Sequence, residues 1–280
     1  MTADTSSTAP ATAARTHLAF EDVSMAFGDR EVFRNLSFRF PPAEISVILG
    51  GSGSGKSTAL RLLGGLIQPV SGCILVDGDD ITQLSEQQMY AVRAKLGMLF
   101  QGGALLDSMT VFDNLAFPLR ERDGMSDADI ERRVREVLEA VGLEDADDLL
   151  PGQLSGGMVR RAGLARAIAT RPLILLCDEP FSGLDPISAR RIEALLVEIN
   201  RRFRMTVVVV SHDIPSTMRM ASEVLVLLPD GAVEGTPAAL QASTDPRVAS
   251  FLNPDLDAAA LHEVGRVESL PNRPHGAPTW

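Results

Sequence analysis

The sequence predicts an α/β fold in which parallel strands are covered by helices on both faces. Three apolar runs, 45–49, 173–177 and 206–210, lack the polar alternation of a half-exposed strand, as expected for parallel strands buried on both sides. Between the first two runs the chain changes to helical periodicity. We therefore expect one large α/β domain with a helical segment inserted between its strands.

The remaining elements follow from local patterns and turn residues. Before the helical insert, the expected elements are strands over 17–23, 32–40, 72–78 and 97–100 and helices over 58–63 and 85–95. A helix over 186–203 is expected before the third apolar run. After that run we expect helices over 214–221, 238–242 and 246–252 and a hairpin formed by 223–228 and 232–234. This organisation predicts a disordered lead over 1–16, one domain over 17–252 and a C-terminal extension over 253–280.

The insert covers about 102–171. Its first helix is predicted by apolar residues at helical spacing, namely Ile130, Val134, Val137, Leu138 and Val141. A second helix runs from about 156 to 170 and ends before Pro172. The polar residues of the first helix have mixed charge and predict a solvated face; they are Glu131, Arg132, Arg133, Arg135 and Glu136.

The composition limits the classes of function. The chain has 280 residues, is 45% hydrophobic and carries a formal net charge of -11, so it can build a sizeable core but is a poor candidate for general nucleic-acid binding. No apolar run approaches the ~20 residues that span a bilayer, and the N-terminus lacks the basic and apolar regions of a secretory signal. We expect a cytoplasmic protein whose membrane role, if it has one, comes through a partner.

A glycine-rich loop follows the first apolar run. Residues 50–57 fit the pattern G-x-x-x-x-G-K-[ST] between a strand and a helix, which is the context of a phosphate-binding P-loop. Four glycines allow a tight curl whose N–H groups face phosphate oxygens, and the helix adds its positive end. Lys56 then supplies charge toward the terminal phosphates and Ser57 a hydroxyl for Mg²⁺. The nucleotide-binding residues expected here are Gly50, Gly51, Ser52, Gly53, Ser54, Gly55, Lys56, Ser57 and Thr58.

Two carboxylates end the second apolar run. Asp178 and Glu179 follow strand 173–177, where a P-loop ATPase holds its metal. Asp178 suits Mg²⁺, and Glu179 suits the base that takes a proton from the attacking water. The alternative is a surface Asp-Glu pair at a strand end.

A second candidate anion site opens the second insert helix. Ser155, Gly156 and Gly157 stand between Leu154 and Met158 at a helix N-terminus, which can bind an anion through its free N–H groups. An ordinary helix cap with Ser155 as the N-cap explains the same residues.

Leu154-Ser155-Gly156-Gly157 resembles the signature motif of ATP-binding cassette (ABC) ATPases. The order of landmarks over about 17–250 is similar too: the P-loop, Gln101, the signature, Asp178-Glu179, Ser182–Asp185 and Ser211–Asp213. The resemblance implies a P-loop NTPase core of the RecA-like type, with an antiparallel β subdomain and a helical subdomain.

The resemblance also implies roles for individual residues. Two subunits would enclose two MgATP molecules, with Leu154 to Met158 of one subunit contacting the ATP of the other, chiefly through Ser155 and Gly157. Gln101 would sense Mg²⁺ and the attacking water, His212 would contact the γ-phosphate, and Asp185 would couple the two sites. Phe27 stands where the family places an aromatic that stacks on adenine; a turn phenylalanine in the core is the alternative. Met158 and Phe27 depart from the usual Gln and Tyr, but neither change removes a phosphate ligand.

A narrower resemblance concerns the ATPases of MCE-type lipid transporters, which include the Mla phospholipid systems and the mycobacterial Mce importers. Segments 98–106, 112–121, 154–158, 161–167 and 245–252 look similar to that group. The apolar, glycine-containing surface over 102–117 could receive a short helix of a membrane partner, although most of its leucines could equally pack inside the insert.

These resemblances predict an ATP-hydrolysing subunit that drives lipid transport, with phospholipid as the expected cargo. They imply a homodimer with ATP and Mg²⁺, an integral membrane permease, an MCE-domain lipid-binding protein and a peripheral place on the cytoplasmic face of the inner membrane. A small regulatory subunit is a further partner that they allow. The alternative is the ATPase of another ABC importer, such as one for amino acids. A soluble ABC ATPase of DNA repair or translation lacks support, because the chain has no long coiled-coil insert, second cassette or zinc-type cysteine set. Intact Lys56 and Glu179 argue against a non-catalytic regulatory module.

Overall fold

The computed structural model describes residues 17–121 and 124–253, so the expected lead over 1–16 and nearly all of the expected C-terminal extension lie outside the described residues. In this part of the chain the strands are β1 (Leu18–Phe27), β2 (Arg30–Phe40), β3 (Ile45–Gly50), β4 (Ser71–Val76), β5 (Asp79–Asp80), β6 (Leu96–Leu99), β7 (Ile174–Asp178), β8 (Thr206–Ser211), β9 (Glu223–Leu228) and β10 (Gly231–Gly235). The α-helices are α1 (Lys56–Leu63), α2 (Glu86–Arg93), α3 (Val111–Arg120), α4 (Asp127–Ala140), α5 (Gly156–Ala169), α6 (Pro186–Phe203), α7 (Ile214–Met220), α8 (Pro237–Gln241) and α9 (Pro246–Leu252).

The larger sheet has six strands in the order β10-β9-β3-β8-β7-β6. Its strands pair in parallel except for β10, which pairs with β9 as an antiparallel hairpin. Alternate residues of one strand enter two different cores: Val207 and Val209 of β8 face one side, and Val208 and Val210 face the other. Both sides of the sheet are therefore covered, and the prediction from the three apolar runs is confirmed.

The smaller sheet has four antiparallel strands in the order β2-β1-β4-β5. Phe20 and Phe38 pack edge-on against Phe40, with ring centroids 6.0 and 4.7 Å away. These aromatic side chains share a core with α1 and with one face of the larger sheet. Helix α1 and the glycine-rich loop that precedes it are thereby held between the two sheets.

The chain between β6 and β7 forms α3, α4 and α5. Their apolar faces share a core with the second face of the larger sheet, as Leu115, Val134 and Leu164 illustrate. Because β6 and β7 are parallel neighbours, the insert returns the chain to the adjacent strand. Helix α5 agrees with its expected bounds, whereas α3 was not predicted as a helix. It contains Pro118, which argues against a helix when only the sequence is considered.

The expectation of a solvated face on α4 is wrong for Arg133. This residue is only 5% exposed, and its guanidinium donates to the carbonyl oxygens of Ala169 and Ile168, both at 2.8 Å. The last carbonyls of a helix have no partner within the helix, so a long cationic side chain from a neighbouring helix can satisfy them. Arg133 thus connects α4 to the C-terminal end of α5.

No helix within 17–121 or 124–253 combines the length and the apolar composition that crossing a membrane requires.

Candidate active site at the carboxyl ends of the parallel strands

The loop between β3 and α1 depends on its glycines. Gly53 and Gly55 have φ angles of +78° and +98°, a region that side chains other than glycine rarely adopt. A Cβ on Gly50 would lie 2.4 Å from Ser54 Oγ, and one on Gly55 would lie 2.5 Å from Val32 Cγ1. The predicted loop therefore has the tight curl that a phosphate cradle needs.

Lys56 occupies the centre of this curl. It is the first residue of α1 and is 8% exposed. Its Nζ donates to the carbonyl oxygens of Gly50 and Gly51, both at 3.0 Å, and lies 3.5 Å from Glu179 Oε1. The loop thus holds one buried cation at a fixed position beside the second predicted motif.

Ser57 and Asp178 meet although they stand far apart in the sequence. Ser57 Oγ donates to Asp178 Oδ1 at 3.2 Å. Burial raises the pKa of Asp178, and the neighbouring charge of Glu179 acts in the same direction, while Ser57, Arg61 and Lys56 oppose it. A hydroxyl and a carboxylate at this separation are hard oxygen donors of the kind that Mg²⁺ prefers, so the residues fit a magnesium ion beside the phosphate loop.

Glu179 and His212 follow two neighbouring strands, β7 and β8. Glu179 Oε2 lies 2.8 Å from His212 Nδ1, and Glu179 has a φ angle of +45°. Such a backbone conformation costs energy for a residue with a side chain, and residues that adopt it are enriched at active sites. The Glu179 side chain is largely shielded, whereas that of His212 is exposed. The site therefore presents a carboxylate directed by both Lys56 and His212.

Gln101 lies in the loop after β6. Its amide nitrogen donates to Ser182 Oγ at 3.2 Å, so the structure places Gln101 against the segment that follows Glu179. No hydrogen bond among the described residues joins Gln101 to Ser57 or Asp178, and its predicted contact with Mg²⁺ stays a prediction.

The predicted signature residues cap α5 and face outward. Ser155 accepts a hydrogen bond from the Met158 N–H at 3.3 Å, which is the geometry of an N-cap. Ser155 and Gly156 are exposed, and no hydrogen bond or ion pair of the described residues links them to the phosphate loop. The capping alternative therefore describes what Ser155 does within one chain, and its contact with a second subunit stays a prediction.

Asp185 has a similar place at the start of α6. It accepts hydrogen bonds from the N–H groups of Ile187 at 2.9 Å and Ser188 at 3.0 Å. The Ser188 hydroxyl also donates to Asp185, and these bonds lower the pKa of the carboxyl. Asp185 is exposed like Ser155, so both are available to a partner surface.

Phe27 ends β1 and is 53% exposed, so the alternative of a core phenylalanine is not what the structure shows. The β1–β2 turn is near the phosphate loop, because Arg30 donates to the Gly53 carbonyl at 3.5 Å. Stacking of Phe27 on adenine stays a prediction.

Sequence reasoning missed Arg160, which contacts the loops on either side of the Gln101–Ser182 hydrogen bond. It is 8% exposed, although it stands beside Arg161 in a stretch that looks like a polar helix surface. The available signal was the following stretch over 162–169, which is small or apolar except for Arg166 and indicates a helix buried on most sides.

Comparison with known protein families gives a clear result. Residues 33–182 match the family model described as ABC transporter. The chain is 47% identical over 233 residues to the intermembrane phospholipid transport system ATP-binding protein MlaF of Escherichia coli (strain K12), covering 83% of this chain and 87% of that protein. It is 40% identical over 232 residues to the probable ribonucleotide transport ATP-binding protein mkl of Mycobacterium leprae, covering 82% and 67%.

Solved structures of ATP-binding cassettes have the same fold as this chain. The dimeric post-hydrolysis structure of the ATP-binding cassette MJ0796 bound to ADP and Pi superposes with a TM-score of 0.72 at 30% identity, covering 79% of this chain and 98% of that one. The structure of cbiO1 from Clostridium perfringens, part of the ABC transporter complex cbiONQ, has a TM-score of 0.76 at 27% identity, covering 89% of this chain and 100% of that one. The chain therefore belongs to the ABC transporter family, within which it is an ATP-binding ATPase subunit.

Proposed function

We propose that this ATPase drives the transport of phospholipid through a membrane permease, and that its chemistry takes place between two copies of the chain. The observation that carries the cargo assignment is the 47% identity, over 83% of this chain and 87% of the relative, to a protein named for intermembrane phospholipid transport. The residue roles in this proposal rest on the geometry of the phosphate loop, the two carboxylates and the histidine.

The phosphate loop and its neighbours bind and orient the nucleotide. Backbone N–H groups of the glycine-rich curl and the buried Lys56 hold the phosphates. Ser57 and Asp178 hold a magnesium ion, which neutralises charge on the phosphates when bound. Phe27 at the adjoining turn is accessible for stacking on the adenine ring.

Glu179 takes the proton of the attacking water. Its two oxygens are directed by Lys56 at 3.5 Å and His212 at 2.8 Å, which leaves the carboxylate little freedom to rotate. General bases gain efficiency from such positioning. His212 and Gln101, on loops after neighbouring strands of the sheet, complete the surroundings of the γ-phosphate.

The active assembly is a head-to-tail homodimer. Ser155 is exposed and Gly157 half-buried, and no hydrogen bond of the described residues connects either of them to the phosphate loop of their own chain. Both residues therefore suit the ATP of a second copy. The similar cassette MJ0796 is dimeric with ADP and Pi bound. Asp185, exposed at the start of α6, suits a contact between the two sites.

A groove lined in part by the Gln101 loop suits the permease. It has a volume of about 420 Å³, and its lining includes Tyr90, Phe100, Phe117 and Arg166. Tyr90 is 68% exposed and Phe117 40%, and amphipathic helices commonly dock their apolar faces into such grooves. The permease would hold the subunit peripherally at the cytoplasmic face of the inner membrane, with an MCE-domain lipid-binding protein and a small regulatory subunit as further components.

The competing cargo is a polar solute. One such solute is a ribonucleotide, because the chain is similar to mkl, which is named for probable ribonucleotide transport. Another is an amino acid, the alternative that the sequence leaves open. The identity to mkl is 40%, over 67% of that protein, against 47% and 87% for MlaF, and this difference favours phospholipid as the cargo.

The test is reconstitution of the chain with the multi-span protein that co-purifies from its own membranes. In proteoliposomes, ATP should drive transfer of a fluorescent phospholipid, and ATP turnover should respond to phospholipid rather than to ribonucleotides or amino acids. Phe117→Asp, which places a carboxylate in the groove, should abolish association with the multi-span protein. Val70→Asp is the matched control, because Val70 is 68% exposed but lies outside the groove. Solute-stimulated turnover without phospholipid transfer would overturn the cargo assignment.

A further inference from the structure

Arg160 is a buried cation that the chemistry described so far does not use. It lies in the second turn of α5, five residues after Ser155, and is only 8% exposed. Among the residues that the structure describes, no carboxylate forms an ion pair with it, and burial lowers the pKa of its guanidinium. A buried charge without a counterion is costly, so Arg160 needs an explanation beyond the stability of the core.

Its contacts surround one hydrogen bond of the active site. The guanidinium donates to the carbonyl oxygen of Ser182 at 3.0 Å and, more weakly, to that of Phe100 at 3.5 Å. Phe100 precedes Gln101, and Ser182 is the residue whose Oγ accepts from the Gln101 amide at 3.2 Å. Helix α5 begins within the signature motif and is therefore the signature helix. Its Arg160 side chain holds the backbones of Phe100 and Ser182, on either side of the Gln101–Ser182 hydrogen bond.

Two further contacts hold the Gln101 loop against α5. Arg166, six residues further along α5, donates to the Ala104 carbonyl. Gly163 lies between the two arginines, and a Cβ there would be 2.8 Å from Gly103 Cα, so the two backbones are in contact. The Gln101 loop and α5 therefore form one packed unit.

We propose that Arg160 is a positioning residue for ATP hydrolysis: it fixes the Gln101 loop relative to the signature helix and to Ser182, so that Gln101 reaches the attacking water only when the signature helix is correctly placed. The planar guanidinium suits this task because its several N–H donors have fixed directions and can bond two carbonyls at once. The inference rests on the proposed role of Gln101.

The test is a double-mutant cycle of Arg160→Gln with Gln101→Ala in the full chain. Arg160→Gln should lower kcat by about 10-fold, since small displacements of catalytic groups have effects of this size or larger, with the Kd for ATP unchanged. In the Gln101→Ala background it should lower kcat no further. Arg160→Lys, which keeps the charge but not the planar donors, should recover part of the loss.

Arg161→Gln is the matched control. Arg161 is the next residue of α5, and it donates to two carbonyls, of Val141 at 3.1 Å and Gly142 at 2.6 Å, away from the site. It should leave kcat within twofold of the original chain, a change of about 0.4 kcal/mol or less.

The outcomes separate the two proposals. If Gln101→Ala lowers kcat and the two effects multiply, Arg160 does not act through Gln101 and the inference is overturned. If Gln101→Ala leaves kcat unchanged, the role of Gln101 is wrong and the inference fails with it. Should Arg160→Gln not fold, the same cycle with Arg160→Lys decides, because a smaller but fully non-additive loss is still expected.

Discussion

Glu179 Oε2 lies 2.8 Å from His212 Nδ1, and Glu179 Oε1 lies 3.5 Å from Lys56 Nζ. One carboxylate therefore joins three elements: the start of α1 and the carboxyl ends of β7 and β8. Because β7 and β8 are parallel neighbours, their ends meet at the same edge of the sheet. The relationship gives Glu179 a fixed direction and makes it the residue on which turnover should depend most.

Glu179→Gln should reduce ATP turnover by at least about 100-fold, because the amide keeps the shape of the side chain but cannot accept the proton. ATP binding should persist, and the chain should accumulate as an ATP-bound dimer in size-exclusion chromatography. Glu198→Gln is the control, since Glu198 is an exposed glutamate on α6. Turnover of Glu179→Gln at the original rate would rule out Glu179 as the base.

A mixture of two inactive variants should regain activity if each site uses both copies of the chain. Lys56→Ala removes the cation of the phosphate loop and should abolish nucleotide binding. Gly156→Asp leaves the fold intact, because a Cβ at Gly156 has no heavy atom within 4 Å, but its charge would repel the phosphates of the partner's ATP. Heterodimers of the two contain one intact site.

Each variant alone should be inactive. In an equal mixture, about half of the randomly formed dimers contain one copy of each variant, and each of these has one working site of two. The mixture should therefore show about a quarter of the original turnover. Lys56→Ala mixed with the double variant carrying both substitutions is the control and should stay inactive. Absence of recovery in the first mixture would contradict composite sites that can work one at a time.

The parallel strands of the larger sheet could be predicted from the sequence, but the contacts of the long polar side chains could not. Apolar runs predicted β3, β7 and β8, and the pattern G-x-x-x-x-G-K-[ST] between a strand and a helix predicted the phosphate loop. Arg133 and Arg160 were missed because their partners are carbonyls 35 and 22 residues away in the chain, and no local pattern encodes such contacts. The Glu179–His212 contact likewise required the strand order, which places two loops side by side.

Stability should depend on pH through the pair formed by Glu193 of α6 and Arg219 of α7. Arg219 Nε and Nη2 donate to the two carboxylate oxygens at 2.8 and 2.5 Å. Burial by itself raises the pKa of Glu193, but the hydrogen bond and charge of Arg219 outweigh it, so the pKa lies below its ordinary value of 4.5. The pair therefore contributes fully above pH 4.5, and its contribution is lost as the pH falls through the lower pKa of the folded state.

Glu193→Gln should thus lower the free energy of unfolding at pH 7 by about 2 kcal/mol, less than for a fully buried pair because Arg219 is one-third exposed. Thermal unfolding of both chains from pH 7 downward should show the difference narrowing below pH 4.5. A difference that stays constant across this range would mean that the charge of Glu193 is not its source.

The contact between Gly163 and Gly103 predicts an effect opposite to helix propensity. In the interior of a helix, alanine is normally more stable than glycine by about 1 kcal/mol. At Gly163 of α5, however, the added Cβ would lie 2.7 Å from the Gly103 carbonyl oxygen and 2.8 Å from its Cα, so the Gln101 loop must shift. Gly163→Ala should therefore destabilise the chain by about 1–3 kcal/mol, as overpacking does, and lower kcat because Gln101 is two residues from Gly103.

Gly152→Ala is the matched control, because a Cβ at Gly152 would meet no atom within 4 Å, and it should change neither the melting temperature nor kcat. Thermal unfolding and steady-state ATPase measurements on the three chains decide the question. If Gly163→Ala were more stable than the original chain and kept full turnover, α5 could move away from the Gln101 loop without harm. The position of Gln101 would then not depend on the Gly163–Gly103 contact.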